Sequence, residues 1–152
     1  MSIVQIDGFP KCSFKFVNLP SRNTSYKNHF EKGRAVKSLR EEAAVLGRNW
    51  LVKAKKTLNI PLVTRGFVMV NVYCQHEGLM DVHNIDIKPV MDGLVDAGIF
   101  QDDEWAFIPL VTYRWAGIDD RGQRRTVLDI YELAGLVINN EGQLLPLGRR
   151  RL

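Results

Sequence analysis

The stretch Gly66-Phe-Val-Met-Val-Asn-Val-Tyr-Cys74 decides the fold, because it is almost continuously apolar and rich in β-branched residues. A run of this length and composition predicts a central strand that is buried on both faces, rather than a strand with one face in water. Such a strand must pair with other strands and be covered by further elements. The sequence on either side supplies the candidates.

Two elements are predicted before the central strand. Side chains from Cys12 to Leu19 alternate, which predicts a strand with Cys12, Phe14 and Phe16 on one face and with Ser13, Lys15, Val17 and Leu19 on the other. The segment 21–33 is polar and is predicted to be a loop. Apolar side chains from Val36 onward then recur at helical spacing, which predicts an amphipathic helix that ends near Leu58.

Three elements are predicted after the central strand. A helix is expected from Pro89 to Ala97, with Gly98 as its stop signal. A strand is expected from Trp105 to Trp115, and Pro109 confines that strand to a sheet edge or a bulge. A last strand is expected from Thr126 to Leu133. The three tryptophans are Trp50, Trp105 and Trp115, and each is predicted to lie in the core or at a dimer interface.

This order of elements predicts an α+β fold in which a mixed β-sheet packs with two main helices. The 152 residues, 45% of them apolar and 25% charged, suit one domain over 1–152. We expect turns at 119–122 and 139–142 and a loosely held basic tail over about 143–152. No apolar run approaches the roughly 20 residues that span a bilayer, and no signal-peptide pattern is present. We therefore expect a cytoplasmic protein.

Charge is strongly segregated along the chain. Between Arg22 and Arg65 there are 11 lysines or arginines and 3 acids, whereas between Glu77 and Glu104 there are 8 acids and a single lysine. A basic surface suits a polyanion such as nucleic acid, although a merely solvated basic surface is the alternative. The candidate DNA-binding residues are Arg22, Lys27, Lys32, Arg34, Lys37 and Arg40.

The acidic segment contains the candidate catalytic and metal-binding residues. Asp81 and His83 are two positions apart, so an extended chain places them on one face, and Asp102-Asp103 follow the second predicted helix. Converging carboxylates hold hard cations such as Mg²⁺, although an aspartate taken singly also suits a helix cap or a turn. The candidate metal ligands are Asp81, His83, Asp92, Asp102 and Asp103, and the candidate catalytic residues are Asp81, His83, Lys88 and Asp103.

The acidic segment resembles the RusA family of Holliday-junction resolvases. The family signature runs Asp-x-Asp-Asn-x-x-Lys, then Asp-x-Leu within a helix, then Asp-Asp after a turn that contains glycine. Here Asp81, Asn84 and Lys88 match the first part, Asp92-Gly-Leu94 matches the helix, and Ala97-Gly-Ile-Phe-Gln-Asp-Asp103 matches the end. The match covers roughly a quarter of the chain.

This resemblance implies a homodimer that binds four-way DNA junctions and nicks two opposed strands symmetrically, with Mg²⁺ or Mn²⁺ required. Two departures from the signature bear on the activity. His83 stands where the family has its second aspartate, and one extra residue separates Asn84 from Lys88. Imidazole is a better ligand for Mn²⁺ than for Mg²⁺, and Asp86 is a possible replacement carboxylate.

Three functions therefore stay open at this point. The first is a metal-dependent endonuclease that resolves four-way junctions. The second is a DNA-binding protein that keeps the dimer and the basic surface but does not cut DNA, because with His83 in place of the aspartate it no longer binds the metal. The third is a different metal-dependent phosphohydrolase that acts on nucleotides or single-stranded nucleic acid.

Overall fold

The computed structural model describes residues 10–54, 61–75, 82–119, 121–133, 136–138 and 144–146. Within these ranges the chain forms two α-helices, a short 3₁₀ turn at Val82–Asn84 and six strands. In chain order the helices and strands are β1 Cys12–Val17, α1 His29–Lys53, β2 Gly66–Cys74, α2 Lys88–Asp96, β3 Leu110–Ile118, β4 Arg125–Glu132, β5 Leu136–Ile138 and β6 Leu144–Pro146.

The main sheet has four strands in the order β1-β4-β2-β3. Strand β4 is antiparallel to both β1 and β2, whereas β2 and β3 run parallel. The predicted mixed sheet and α+β class are therefore confirmed. Strand β2 has a neighbour on each side and seven of its nine residues are buried, which confirms the prediction from its sequence. Strands β5 and β6 form a separate two-stranded sheet.

Both helices belong to the layer that covers one face of the sheet. Val68, Val70 and Val72 of β2 point to this face and are fully buried in a core that also contains Leu94 of α2. The two helices cross closely at Gly93, where an added Cβ would lie 2.2 Å from the backbone oxygen of Arg40. The absence of a side chain at Gly93 therefore sets how near α2 lies to α1.

A row of polar side chains crosses the other face of the sheet, with one residue from each strand. Ser13 Oγ donates to Asp129 Oδ1 at 2.6 Å, and Asn71 Nδ2 donates to Asp129 Oδ2 at 2.8 Å. Arg114 Nε then donates to Asn71 Oδ1 at 2.8 Å. This row links β1, β4, β2 and β3, and it satisfies the amide of Asn71, which is buried.

The ends of several elements differ from the sequence-based expectation. Helix α1 begins at His29, inside the predicted loop, because Asn28 caps it by accepting from the backbone N–H of Glu31 at 2.9 Å. The same helix ends at Lys53, before the predicted end near Leu58. The tail prediction meets the described residues only at β6, and the predicted turn at 139–142 lies outside them.

Two predicted strand boundaries were wrong, and each has a local cause. Strand β1 ends at Val17 rather than at Leu19, because Asn18 adopts a positive φ of 54° that ends the alternation, and Leu19 is fully buried. The strand predicted from Trp105 begins only at Leu110, because residues 104–108 form a turn in which the N–H of Ile108 donates to the oxygen of Glu104 at 2.9 Å.

The tryptophans divide into two groups. Trp50 packs against the core, as expected. Trp105 and Trp115 are 82% and 53% exposed, so the core interpretation is wrong for both. Trp105 lies on the turn before β3, and Trp115 lies on β3, which is at the edge of the four-stranded sheet. Within the described residues, no helix combines the length and apolarity needed to cross a membrane.

Candidate active site and its basic flank

Lys88 is the first residue of α2, one residue before the predicted start at Pro89. Its backbone N–H donates to Asp86 Oδ1 at 3.1 Å, so the Asp86 side chain satisfies one of the amide groups that a helix start leaves unpaired. One turn further along the helix, Asp92 Oδ1 accepts from Lys88 Nζ at 2.8 Å. The spacing of four residues thus brings lysine and carboxylate together as predicted.

Asp103 completes this cluster from the loop that follows α2. Lys88 Nζ donates to Asp103 Oδ2, and the backbone N–H of Asp103 donates to Asp102 Oδ1 at 2.7 Å. The hydrogen bond from Lys88 holds the pKa of Asp103 below its usual value, and the hydrogen bonds to Asp103 and then Asp92 raise the pKa of Lys88. The carboxylate and the ammonium therefore both stay charged at neutral pH.

The segment between β1 and α1 places Arg22 beside the cluster of Lys88 and Asp103. Ser21 forms a β-bridge with Ile85, and the backbone N–H of Arg22 donates to the oxygen of Asn84 at 2.6 Å. The Arg22 side chain consequently lines a cavity of about 210 Å³, together with the acids and Lys88. The full lining is Arg22, Asp86, Ile87, Lys88, Met91, Asp103, Ile108 and Val111.

His83 lies beside this cavity on the helix-covered side of β3. Its ring centroid is 5.7 Å from that of Tyr113, which is two residues along the strand from Val111 in the cavity wall. Side chains two apart on a strand are about 7 Å apart, so His83 lies roughly one side-chain position away. Asp81 lies outside the described residues, immediately before the turn that carries His83.

The other candidate DNA-binding residues lie around the start of α1 and along its first half. Arg40 forms an ion pair between the two helices, because its Nε and Nη2 donate to the two carboxylate oxygens of Asp96 at 2.6 and 2.8 Å. Lys37 lies 3.9 Å from Glu41, one turn along the same helix. The exposed side chains of this basic flank are Lys27, Lys32, Arg34 and Lys37.

A larger cavity, of about 580 Å³, lies at the opposite end of α2 from Lys88. It is lined by Lys37, Arg40 and Arg48 on the basic helix and by Asp96. Arg48 is a basic side chain that the sequence did not single out, although its spacing from Lys37 along the helix was a possible signal. The lining has three basic side chains and two acidic ones, Glu41 and Asp96, so this cavity is more basic than the one at Lys88, which has two of each.

The donor set at Lys88 fits a hard cation only in part. Asp92 and Asp103 each place a carboxylate oxygen against the ammonium group of Lys88, which occupies the position between them. Across the described ranges, no group of three acids, histidines or cysteines lies close enough to hold a metal ion. Mg²⁺ keeps several water ligands and binds through one or two carboxylates, so the two carboxylates of Asp92 and Asp103 are a partial ligand set for it.

Comparison with known proteins does not assign the chain to a family. No protein-family model matches the chain, and no curated protein matches it.

Proposed function

We propose that the protein is a metal-dependent endonuclease that resolves four-way DNA junctions by symmetric nicking of opposed strands. The observation that carries the proposal is the cluster in which Lys88 bridges Asp92 and Asp103 beside Arg22. Acids, lysine and arginine around one open cavity suit a phosphodiester, since the cations bind phosphate oxygens and the acids hold a metal. The resemblance to the RusA family supplies the junction substrate and the homodimer, and the cytoplasmic location is the one expected from the sequence.

Lys88, Asp92 and Asp103 then have roles that their positions permit, and the role of Asp81 rests on the resemblance to the RusA family. Asp103 and Asp81 would hold Mg²⁺ or Mn²⁺, and the bound metal supplies activation of water and stabilisation of the leaving oxygen. Lys88 reaches a phosphate oxygen from the helix start, where Asp92 restrains its side chain. Arg22, which lines the same cavity, would bind another oxygen of this phosphate. The exposed lysines and Arg34 near the start of α1 extend the basic surface along the flanking DNA.

A DNA-binding protein that does not cut is the second candidate, and one observation favours it. The described residues lack a three-ligand group, and Lys88 already neutralises the two carboxylates that are brought together. Such a protein binds junctions with a steep dependence on salt and yields no products with any divalent ion.

The experiment is cleavage of a labelled synthetic four-way junction, with a linear duplex of the same sequence, in Mg²⁺, Mn²⁺ or EDTA. We expect paired nicks in opposed strands, on the junction alone and only with metal. Asp103→Asn is expected to lower the cleavage rate by roughly ten- to a hundredfold, which is the usual cost of removing a group that supports a bound metal, while junction binding persists.

Asp96→Asn is the matched control, because it changes an aspartate of α2 that pairs with Arg40 and does not line the cavity at Lys88. Cleavage should survive this substitution. A retarded but uncut junction under every ion would overturn the nuclease and favour the second candidate. Absence of both binding and cutting would refute the junction substrate itself.

A further inference from the structure

A third cavity, of about 180 Å³, lies on the face of the sheet that carries the polar row. Lys15 of β1 and Arg125 of β4 reach it from this face, because they alternate along their strands with the buried Phe16 and Thr126. The cluster at Lys88 belongs instead to the side of the helices. The described residues that line this cavity are Lys15, Val17, Asp119, Arg121, Gln123 and Arg125.

The turn between β3 and β4 forms one wall of this cavity and is held by hydrogen bonds. The backbone N–H of Asp119 donates to the oxygen of Cys74 at 2.9 Å, which attaches the turn to the end of β2. Asp119 Oδ2 accepts from the backbone N–H groups of Arg121 and Gln123 at 3.1 and 3.3 Å. Gly122 between them has a positive φ of 66°, which suits a glycine. The side chains of Arg121 and Gln123 therefore start from defined positions beside the cavity.

Arg125 forms a second wall and keeps its hydrogen-bond donors. Its guanidinium carbon lies over the Tyr73 ring, 4.1 Å from the ring centroid, which restrains the group by a cation–π contact. Its Nε lies 3.3 Å from Asp119 Oδ1, but the side chain forms no hydrogen bond within the described residues. A guanidinium carries five N–H donors, so Arg125 can donate to an acceptor in the cavity.

Positive charge is in excess around this cavity. Its described lining contains three basic side chains and one acid, Asp119, which is 7% exposed and already accepts from the turn. Lys15 and Arg125 lie diagonally across adjacent strands, because Val17 is the residue opposite Arg125. Diagonal neighbours are about 7–8 Å apart, and like charges at such positions repel. An anion between these side chains would remove the repulsion.

We propose that this cavity binds a phosphate group. Arginine and lysine hold phosphate oxygens through charge-assisted hydrogen bonds, and the amide of Gln123 adds a neutral donor to the lining. The volume favours a single anionic group over a whole organic ligand, since pockets for small organic molecules usually span about 300–1,000 Å³.

The phosphate group has two possible sources that share this chemistry, the free ion and a nucleic-acid backbone. A phosphate bound here is separate from the one at Lys88, because the two cavities lie on opposite faces of the sheet. The proposal therefore does not rest on the proposed nuclease, and neither a metal nor Lys88 takes part in it.

The test is titration of the isotope-labelled full chain with inorganic phosphate, followed by two-dimensional NMR without DNA or metal. Phosphate replaces chloride at constant ionic strength, so that general screening does not change. We expect saturable shifts centred on the backbone amides of Arg121 and Gln123 and on Nε of Arg125. Arg121→Gln and Lys15→Gln should each weaken phosphate binding by at least about tenfold, which is the usual effect of losing a hydrogen bond to a charged group.

Arg34→Gln is the matched control, since it changes an exposed arginine of α1 that lines none of the three cavities. It should leave phosphate binding unchanged, and thermal unfolding of each variant confirms that it is folded. Shifts that rise without saturation across all exposed basic residues would overturn the site. Saturable binding that is indifferent to Arg121→Gln and to Lys15→Gln would also overturn it.

A second titration, with a short single-stranded oligothymidylate, distinguishes the two sources. Shifts of the same amides at a lower concentration than with inorganic phosphate, and weakened by Arg121→Gln, would identify a nucleic-acid backbone as the ligand. Binding of inorganic phosphate without any effect of the oligonucleotide would identify the free ion. Absence of shifts at these amides with both probes would refute the proposal, whatever the outcome of the cleavage experiment.

Discussion

Gly93→Ala is expected to destabilise the protein, although alanine is ordinarily the better residue in a helix. Gly93 lies where α2 crosses α1, and its added Cβ would lie 2.2 Å from the backbone oxygen of Arg40 and 2.7 Å from the Cβ of Ala43. The obstacle includes backbone, so it cannot rotate away as a flexible side chain would. The two helices must separate by about 1 Å to restore an ordinary contact distance.

The size of the effect follows from two opposed contributions. Overpacking of this kind costs about 1–3 kcal/mol, and a backbone obstacle places Gly93→Ala toward the upper end of that range. Replacement of glycine by alanine in a helix stabilises the folded chain by about 1 kcal/mol, which offsets part of this cost. The free energy of unfolding should therefore fall by about 2 kcal/mol, which lowers Tm by roughly 4–8 °C in a chain of this size.

Gly33→Ala is the matched control, measured beside Gly93→Ala by urea unfolding with circular dichroism. Gly33 also lies in a helix, but a Cβ there meets nothing within 4 Å, so the substitution should raise the free energy of unfolding by about 0.5–1 kcal/mol. If Gly93→Ala were as stable as Gly33→Ala, the close crossing of α1 and α2 would be refuted.

Two further predictions concern titratable groups. Burial raises the pKa of Cys12 from 9.0 to about 12, so site-resolved alkylation of Cys12 at pH 8 should be roughly a thousandfold slower in the folded chain than in urea; comparable rates would contradict its burial. The lowered pKa of Asp103 contributes stability above about pH 4 that is lost as the pH falls through the folded-state value, and the raised pKa of Lys88 contributes stability below about pH 10.5 that is lost as the pH rises beyond it. Lys88→Met should accordingly lower the free energy of unfolding at pH 7 and lose that effect near pH 2, and urea titrations in which the loss is equal at both pH values would exclude the ion pair.

Elements with a strong local pattern could be predicted from the sequence. The continuous apolar run identified β2, and the apolar spacing around Leu94, with Gly98 behind it, identified α2. The beginning of α1 escaped prediction because its first turns are exposed on most sides, so no apolar periodicity marks them. There the only signal was a cap, in which Asn28 lies three residues before Glu31.

The candidate site was predictable only where it is local. The contact of Lys88 with Asp92 follows from a spacing of four residues on one helix. The contact with Asp103 and the arrival of Arg22 depend on tertiary structure, because a loop must fold back over α2 and Ser21 must bridge to Ile85. No periodicity along the chain encodes such contacts. The metal ligation by Asp81 and His83 stays a prediction.

The polar row across the open face of the sheet also determines which strand alignments the chain can adopt. Sliding β4 by one residue would turn Asp129 toward the helices and leave its carboxylate in the apolar core without Asn71 and Ser13. A buried, unpaired carboxylate costs several kcal/mol, more than most single substitutions. The same side chains that link the strands thus select against every slip by an odd number of residues, since each of these places the Asp129 carboxylate in the interior.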